Sequence, residues 1–139
     1  MDIKFRGRRP NGEWVYGAFI PAEYSWWQVS SIANKNRRFE VEESTIGRYT
    51  GYTDFFGSEI YEGDIVETIN PPKERREILF GEYADAPEEE RYHCGFYVRF
   101  FDSGRQTIYR KEFGFWIKNY RECRVIGNIH DNPEFMKEV

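Results

Sequence analysis

The chain reads as a small, mainly β protein, and three observations carry that reading. A single leucine, Leu79, stands against 12 isoleucines. Aromatic residues make up 19% of the chain, as 12 Phe, 10 Tyr and 4 Trp. Short alternating or apolar runs recur between turn-forming Gly, Pro, Asn and Asp residues. Leucine and alanine favour helices, whereas β-branched and aromatic side chains suit a pleated, half-buried surface. About eight to ten short strands joined by turns predict a small multi-stranded barrel or sandwich, ending in a short C-terminal helical turn.

The elements follow in order. Ile3-Lys4-Phe5-Arg6-Gly7-Arg8 alternates strictly and predicts a strand with Ile3 and Phe5 inward and Lys4, Arg6 and Arg8 on the outer face. Pro10-Asn11-Gly12 is turn chemistry, so residues 13–20 pair back as a hairpin, which Pro21 ends. "YSWWQVSSI" predicts a third strand, and Asn34-Lys35-Asn36 turns the chain into a fourth over residues 37–41. Ser44 before Ile46-Gly47 suits a short helical turn leading into "RYTGY". Thr53 to Gly57 is a loop, with Asp54 able to bond its own backbone and Gly57 able to take a left-handed conformation. Residues 60–69 are a strand pair or one bent strand, closed by Pro71-Pro72. "PPKERRE" and "DAPEEERYH" read as solvated loops flanking "ILFGEY". Residues 93–101 form a strand and Asp102-Ser103-Gly104 a turn. Residues 106–113 then lead into "GFWIKNY", either a core strand or a partner patch. Residues 123–129 are a short strand, and Asn132-Pro133-Glu134 opens the last helical turn.

At 139 residues the chain fits one domain, residues 1–139, with an N-terminal hairpin subdomain over 1–42 and a barrel-like part over 43–139. The net charge of −4 is unevenly spread. Residues 1–50 hold 8 basic and 6 acidic side chains (net +2), residues 51–90 hold 3 and 12 (net −9), and residues 91–139 hold 9 and 6 (net +3). A domain that binds phosphate backbones normally carries a basic surplus, so the charge disfavours nucleic acid as the main partner. No apolar run is long enough to span a bilayer, and the N-terminus lacks the apolar core of a signal peptide. A soluble cytoplasmic protein with no membrane partner is expected. Cys94 and Cys123 are too isolated for a metal motif and fit reduced thiols.

Four sets of residues are candidate sites. Glu62 and Asp64 flank Gly63, and alternation puts both carboxylates on one face, as an acid/base or metal pair requires. The competing reading is a turn in which Gly63 supplies unusual dihedrals and Asp64 caps backbone amides. No histidine or third carboxylate completes a ligand set there, so the turn reading is preferred and no metal or cofactor is expected. His93 and Cys94 are neighbours on a strand and face opposite ways, so they form no nucleophile–base pair with each other. Lys4, Arg6, Arg8 and Arg9, with Trp26 and Trp27, are the best nucleic-acid or partner contacts, since guanidinium groups meet phosphates and exposed rings stack on bases. Their bland reading is a solvated strand face whose basic stems guard an edge. Phe55, Phe56 and Trp116 are the remaining candidate partner contacts.

Three blocks, taken together and in this order, resemble the YopX family of phage and prophage proteins. The first is Ile3-Lys4-Phe5-Arg6-Gly7 followed by Gly12-Glu13-Trp14-Val15-Tyr16-Gly17. The second is Thr45-Ile46-Gly47-Arg48-Tyr49-Thr50-Gly51 with Asp54, Gly57 and then Ile60-Tyr61-Glu62-Gly63-Asp64-Ile65-Val66. The third is Val125-Ile126-Gly127-Asn128-Ile129-His130 through Asn132-Pro133-Glu134. The chain departs from the family at Phe55-Phe56, where Lys-Asn is common, at His130, where Tyr is common, and in the acidic run from Asp85 to Glu90. The resemblance implies a β-rich fold with an SH3-like barrel component and a phage-encoded protein at work in the bacterial cytoplasm. It transfers no catalytic residue. The expected function is a non-enzymatic module that binds a host or phage protein, or a second copy of itself. Nucleic-acid binding by the N-terminal strand and an enzyme using Glu62/Asp64 or Cys94 are the alternatives.

Overall fold

A computed structural model describes residues 4–25, 28–84, 92–102, 107–119 and 122–136. The chain divides into two compact units, Met1–Gly51 and Tyr52–Val139. In the first unit β1 (Phe5–Arg8) and β2 (Trp14–Ile20) form the expected hairpin, with Phe5 opposite Gly17 and Arg8 opposite Trp14. β3 (Ser31–Asn34) and β4 (Arg37–Glu40) form a second hairpin about the Lys35 turn. β5 (Gly47–Thr53) pairs with β1, giving the order β4-β3-β2-β1-β5. The core of this unit is Val15, Ile32 and Val41, with Phe5, Phe19, Phe39 and Ile46 packed on it.

The "YSWWQVSSI" strand is shorter than expected. Ala22–Tyr24 is a 3-10 turn, with Tyr24 N–H donating to Pro21 O at 3.0 Å. Gln28 sits at φ +54, a left-handed conformation that no strand accommodates, so β3 begins only at Ser31. Trp26 and Trp27 lie outside the described residues.

β5 carries the chain past Gly51, and its far end lies beside β6 (Glu59–Tyr61). The second unit then holds β7 (Asp64–Thr68), β8 (Arg75–Tyr83), β9 (His93–Asp102), β10 (Thr107–Glu112) and β11 (Cys123–Asn128). These five strands form an antiparallel sheet ordered β10-β9-β8-β7-β11. Ile60, Val66, Ile78, Val98, Phe113, Trp116, Ile117 and Cys123 form its core. The last described residues form the expected helical turn, a 3-10 turn over Pro133–Met136.

Two local readings are corrected here. Residues 114–119 of "GFWIKNY" belong to a helix, α1 (Phe113–Asn119), rather than a strand. Phe113, Trp116 and Ile117 stand at i, i+3 and i+4, the spacing of one helical face, and all three are buried. The "PPKERRE" stretch is a loop only in its first half, because β8 already starts at Arg75. Arg76 lies over the Phe100 ring at 4.1 Å and binds Glu74 at 2.6 Å, so its stem serves the sheet instead of solvent.

Among the described residues neither sheet closes on itself, so of the expected barrel or sandwich the mainly β class stands, as two open sheets with no closed barrel. The free edge of β11 is capped instead of paired. Cys123 O accepts the Phe55 N–H at 3.0 Å, and Val125 N–H donates to Asp54 Oδ2 at 2.9 Å. A covered edge removes the drive to close or to aggregate.

Candidate functional site

The segment from Asp54 to Ser58 turns the chain between β5 and β6. Asp54 Oδ1 accepts the N–H groups of Phe56 and Ser58, both at 2.9 Å, while Oδ2 takes Val125 N–H. The Asp54 backbone closes the turn, donating to Ser58 O at 2.8 Å and accepting Gly57 N–H at 3.1 Å. Gly57 takes φ +86, the left-handed conformation expected of it. Asp54 is thereby buried, as the sequence reading of a self-bonding aspartate requires.

The consequence is a fixed tip. Phe55 and Phe56 are 60% and 66% exposed, with their rings edge to face, centroids 5.3 Å apart and planes at 87°. Two bare rings on a turn whose backbone N–H groups are already bonded can make apolar contact without first ordering the loop.

The Glu62-Gly63-Asp64 stretch is the turn between β6 and β7. Gly63 lies at φ +94, donates its N–H to Ile78 O at 2.8 Å and accepts Ile129 N–H at 2.9 Å. Asp64 is 1% exposed, and its Oδ2 accepts Tyr61 N–H at 2.7 Å. That carboxylate is committed to the backbone. Among the described residues no group of three or more His, Cys, Asp or Glu side chains is placed to hold a metal ion.

The N-terminal basic stripe is largely engaged within the first unit. Arg8 binds Glu42 at 3.0 Å, and Arg9 binds Glu13 at 3.0 Å while lying 4.9 Å over the Phe39 ring. Lys4 lies 5.3 Å over Tyr49. Arg6 was expected on an exposed outer face, but it is 6% exposed. Its guanidinium stacks 4.6 Å over Trp14, which reaches it diagonally from the position opposite Arg8.

Trp116 is not a surface contact: it is 4% exposed in the core of the second unit. Its neighbour Phe115, which the sequence reading placed in the same candidate patch, is 66% exposed. The helical spacing that buries Phe113, Trp116 and Ile117 is the signal that turns Phe115 outward. Cys94 is exposed and Cys123 buried, and both are free thiols. Burial, with the Asp54 carboxylate adding to it, pushes the Cys123 thiol up to about 11. Burial likewise pushes the Glu77 carboxyl up, and the Arg99 guanidinium 3.6 Å away opposes it.

A feature the sequence reading missed is a row across three strands of the second sheet. Glu67 on β7 faces Arg75 on β8 and Arg124 on β11 in direct register. These residues are 8 and 57 positions from Glu67 in sequence, so no local pattern announces them.

Two open antiparallel sheets, with buried Asp54 and Asp64 capping the turns on either side of β6, define a small mainly β protein. The model of the family described as YopX protein matches residues 4–137, nearly the whole chain, and the protein belongs to that family. No curated protein matches it.

Proposed function

We propose that this protein is a non-enzymatic binding module whose contact element is the Phe55–Phe56 tip. The observation that carries the reading is two largely exposed rings on a turn clamped by three amide-to-Asp54 bonds. Exposed aromatics held in place supply contact area at low entropic cost, and such residues dominate binding energy at protein interfaces. In this reading it is a phage-encoded accessory protein acting on a host or phage protein in the bacterial cytoplasm. The excess of acid over residues 51–90 surrounds the tip in sequence and biases the choice of partner.

The nucleic-acid alternative has less support, because a phosphate at Arg8 or Arg9 would have to displace Glu42 or Glu13. An enzyme using Glu62 and Asp64 or Cys94 has the least. Asp64 is taken by the Tyr61 amide, and Cys94 alternates away from His93 on β9.

The test uses the full chain immobilised in lysate of phage-infected bacteria, with and without nuclease. The expected result is a set of proteins retained despite nuclease by the unaltered chain and lost with the double variant Phe55→Ser, Phe56→Ser. Both rings are exposed, so the variant should melt within a few degrees of the parent. An identical retained set for variant and parent removes the tip from the reading.

A further inference from the structure

The Arg75–Glu67–Arg124 row opens into a cleft of about 380 Å³, lined by those three residues and by Val125, Ile126 and Phe135. Its walls follow from local sequence. A β-bulge between Val125 and Gly127 leaves Ile126 unpaired and adds it to the rim. Gly127 carries no side chain: a Cβ there would stand 2.3 Å from Asn132 Oδ1 and 3.1 Å from the Phe135 ring. The glycine thus admits the 3-10 turn onto the sheet, and Phe135 becomes one wall of the cleft.

The polar floor is unequally shared. Glu67 is 8% exposed, and Arg75 Nε donates to its Oε2 at 3.0 Å. Arg75 also donates through Nη1 to Phe135 O at 3.3 Å and lies 4.9 Å over the Phe135 ring. Arg75 is therefore committed. Arg124 approaches Glu67 Oε1 only to 3.8 Å, beyond hydrogen-bond range, and about half of its side chain is exposed. Among the described residues its guanidinium is the target of charge attraction while its N–H donors are unspent. Two arginines against one glutamate leave the row with a net charge of +1.

We propose that this cleft binds a carboxylate carried on an apolar body. The planar fork of Arg124 matches a carboxylate in two parallel N–H···O bonds, and Ile126 and Phe135 take the apolar part, Val125 being packed on the core face. A single surplus positive charge neutralises a monoanion and leaves the second charge of a dianion uncompensated beside the Glu67 carboxylate. The carboxylate can come from a free acid or from a peptide C-terminus; both present the same chemistry. The proposal stands on the Glu67 row alone and does not depend on the Phe55–Phe56 tip.

Titrating the full chain with N-acetylphenylalanine, and watching the arginine side-chain and Phe135 amide resonances by NMR, tests it. The acid should shift both, and its primary amide should bind at least tenfold more weakly. Arg124→Gln should also weaken the acid at least tenfold, with Arg124→Lys, which keeps charge but loses the fork, in between. Since Arg124 lies at the surface, the circular dichroism of both variants should match the parent. A tripeptide ending in phenylalanine should bind where the free acid does, and shifts elsewhere would assign the site to free acids only. Equal binding of acid and amide, indifference to Arg124→Gln, or inorganic phosphate binding as well as the acid would overturn the carboxylate site.

Discussion

Asp54, Gly63 and Cys123 show how much a single side chain decides here. Asp54 holds three amides that have no other acceptor in the turn. Its replacement by alanine strands buried donors and should cost about 2–4 kcal/mol in urea unfolding. A loss below about 1 kcal/mol would mean that water replaces the carboxylate. At the next turn, Gly63→Val places a β-branched residue at φ +94, whereas Glu62→Gln leaves the turn intact. The glycine variant should lose about 2 kcal/mol or more and the glutamine variant under about 0.5. The reverse order would reopen Glu62 as a chemical group. Cys123 is neutral in the fold up to about 11, well above its ordinary value of 9.0. Between those two values the unfolded chain has lost the proton that the native chain keeps. Stability therefore falls as pH rises through that window and is unaffected below it. A pH series of denaturation midpoints reads this directly, and Cys123→Ala should flatten the slope.

Among the elements, α1 is the instructive case. Read as alternation, "GFWIKNY" is a strand; read at i, i+3 and i+4 it is a helix that buries Phe113, Trp116 and Ile117. A seven-residue run supports both periods, and only packing against β9 and β10 settles it. Trp116→Ala should cost about 3–5 kcal/mol and Phe115→Ala under about 0.5, measured by equilibrium unfolding. Comparable losses would mean that the helix presents a different face. The turn and strand pairing of the β1–β2 hairpin, by contrast, were legible from Pro10-Asn11-Gly12 and the flanking alternation, although the same alternation placed Arg6 on the wrong face. Of the run expected as the third strand only its end, Ser31-Ile32, lies in β3, since a left-handed Gln28 has no sequence signature.

At the scale of the whole molecule, charge weighs against nucleic acid. Net −4, with Arg8 and Arg9 already ion-paired, predicts no retention on single-stranded DNA even at about 50 mM salt. Binding that is strong there and steeply lost by about 200 mM would return the basic strand to the candidate list. The candidate sites divide along the same line as the elements. The Asp54 turn could be read because an aspartate bonds amides two and four residues ahead, within its own loop. The burial of Arg6 and the Arg75–Glu67–Arg124 row could not, because each depends on which strand lies beside which.

By itself, then, the sequence determined the β class, the turns at residues 10–12, 34–36 and 54–57, the Gly63 strand entry and the family, since all of these rest on local dihedral preference and ordered motifs. Only the tertiary structure decided that the sheets stay open, that Trp116 is core while Phe115 is surface, and that Arg124 faces a cleft. Those outcomes depend on strand neighbours far apart in the chain, whose packing energies no local window contains.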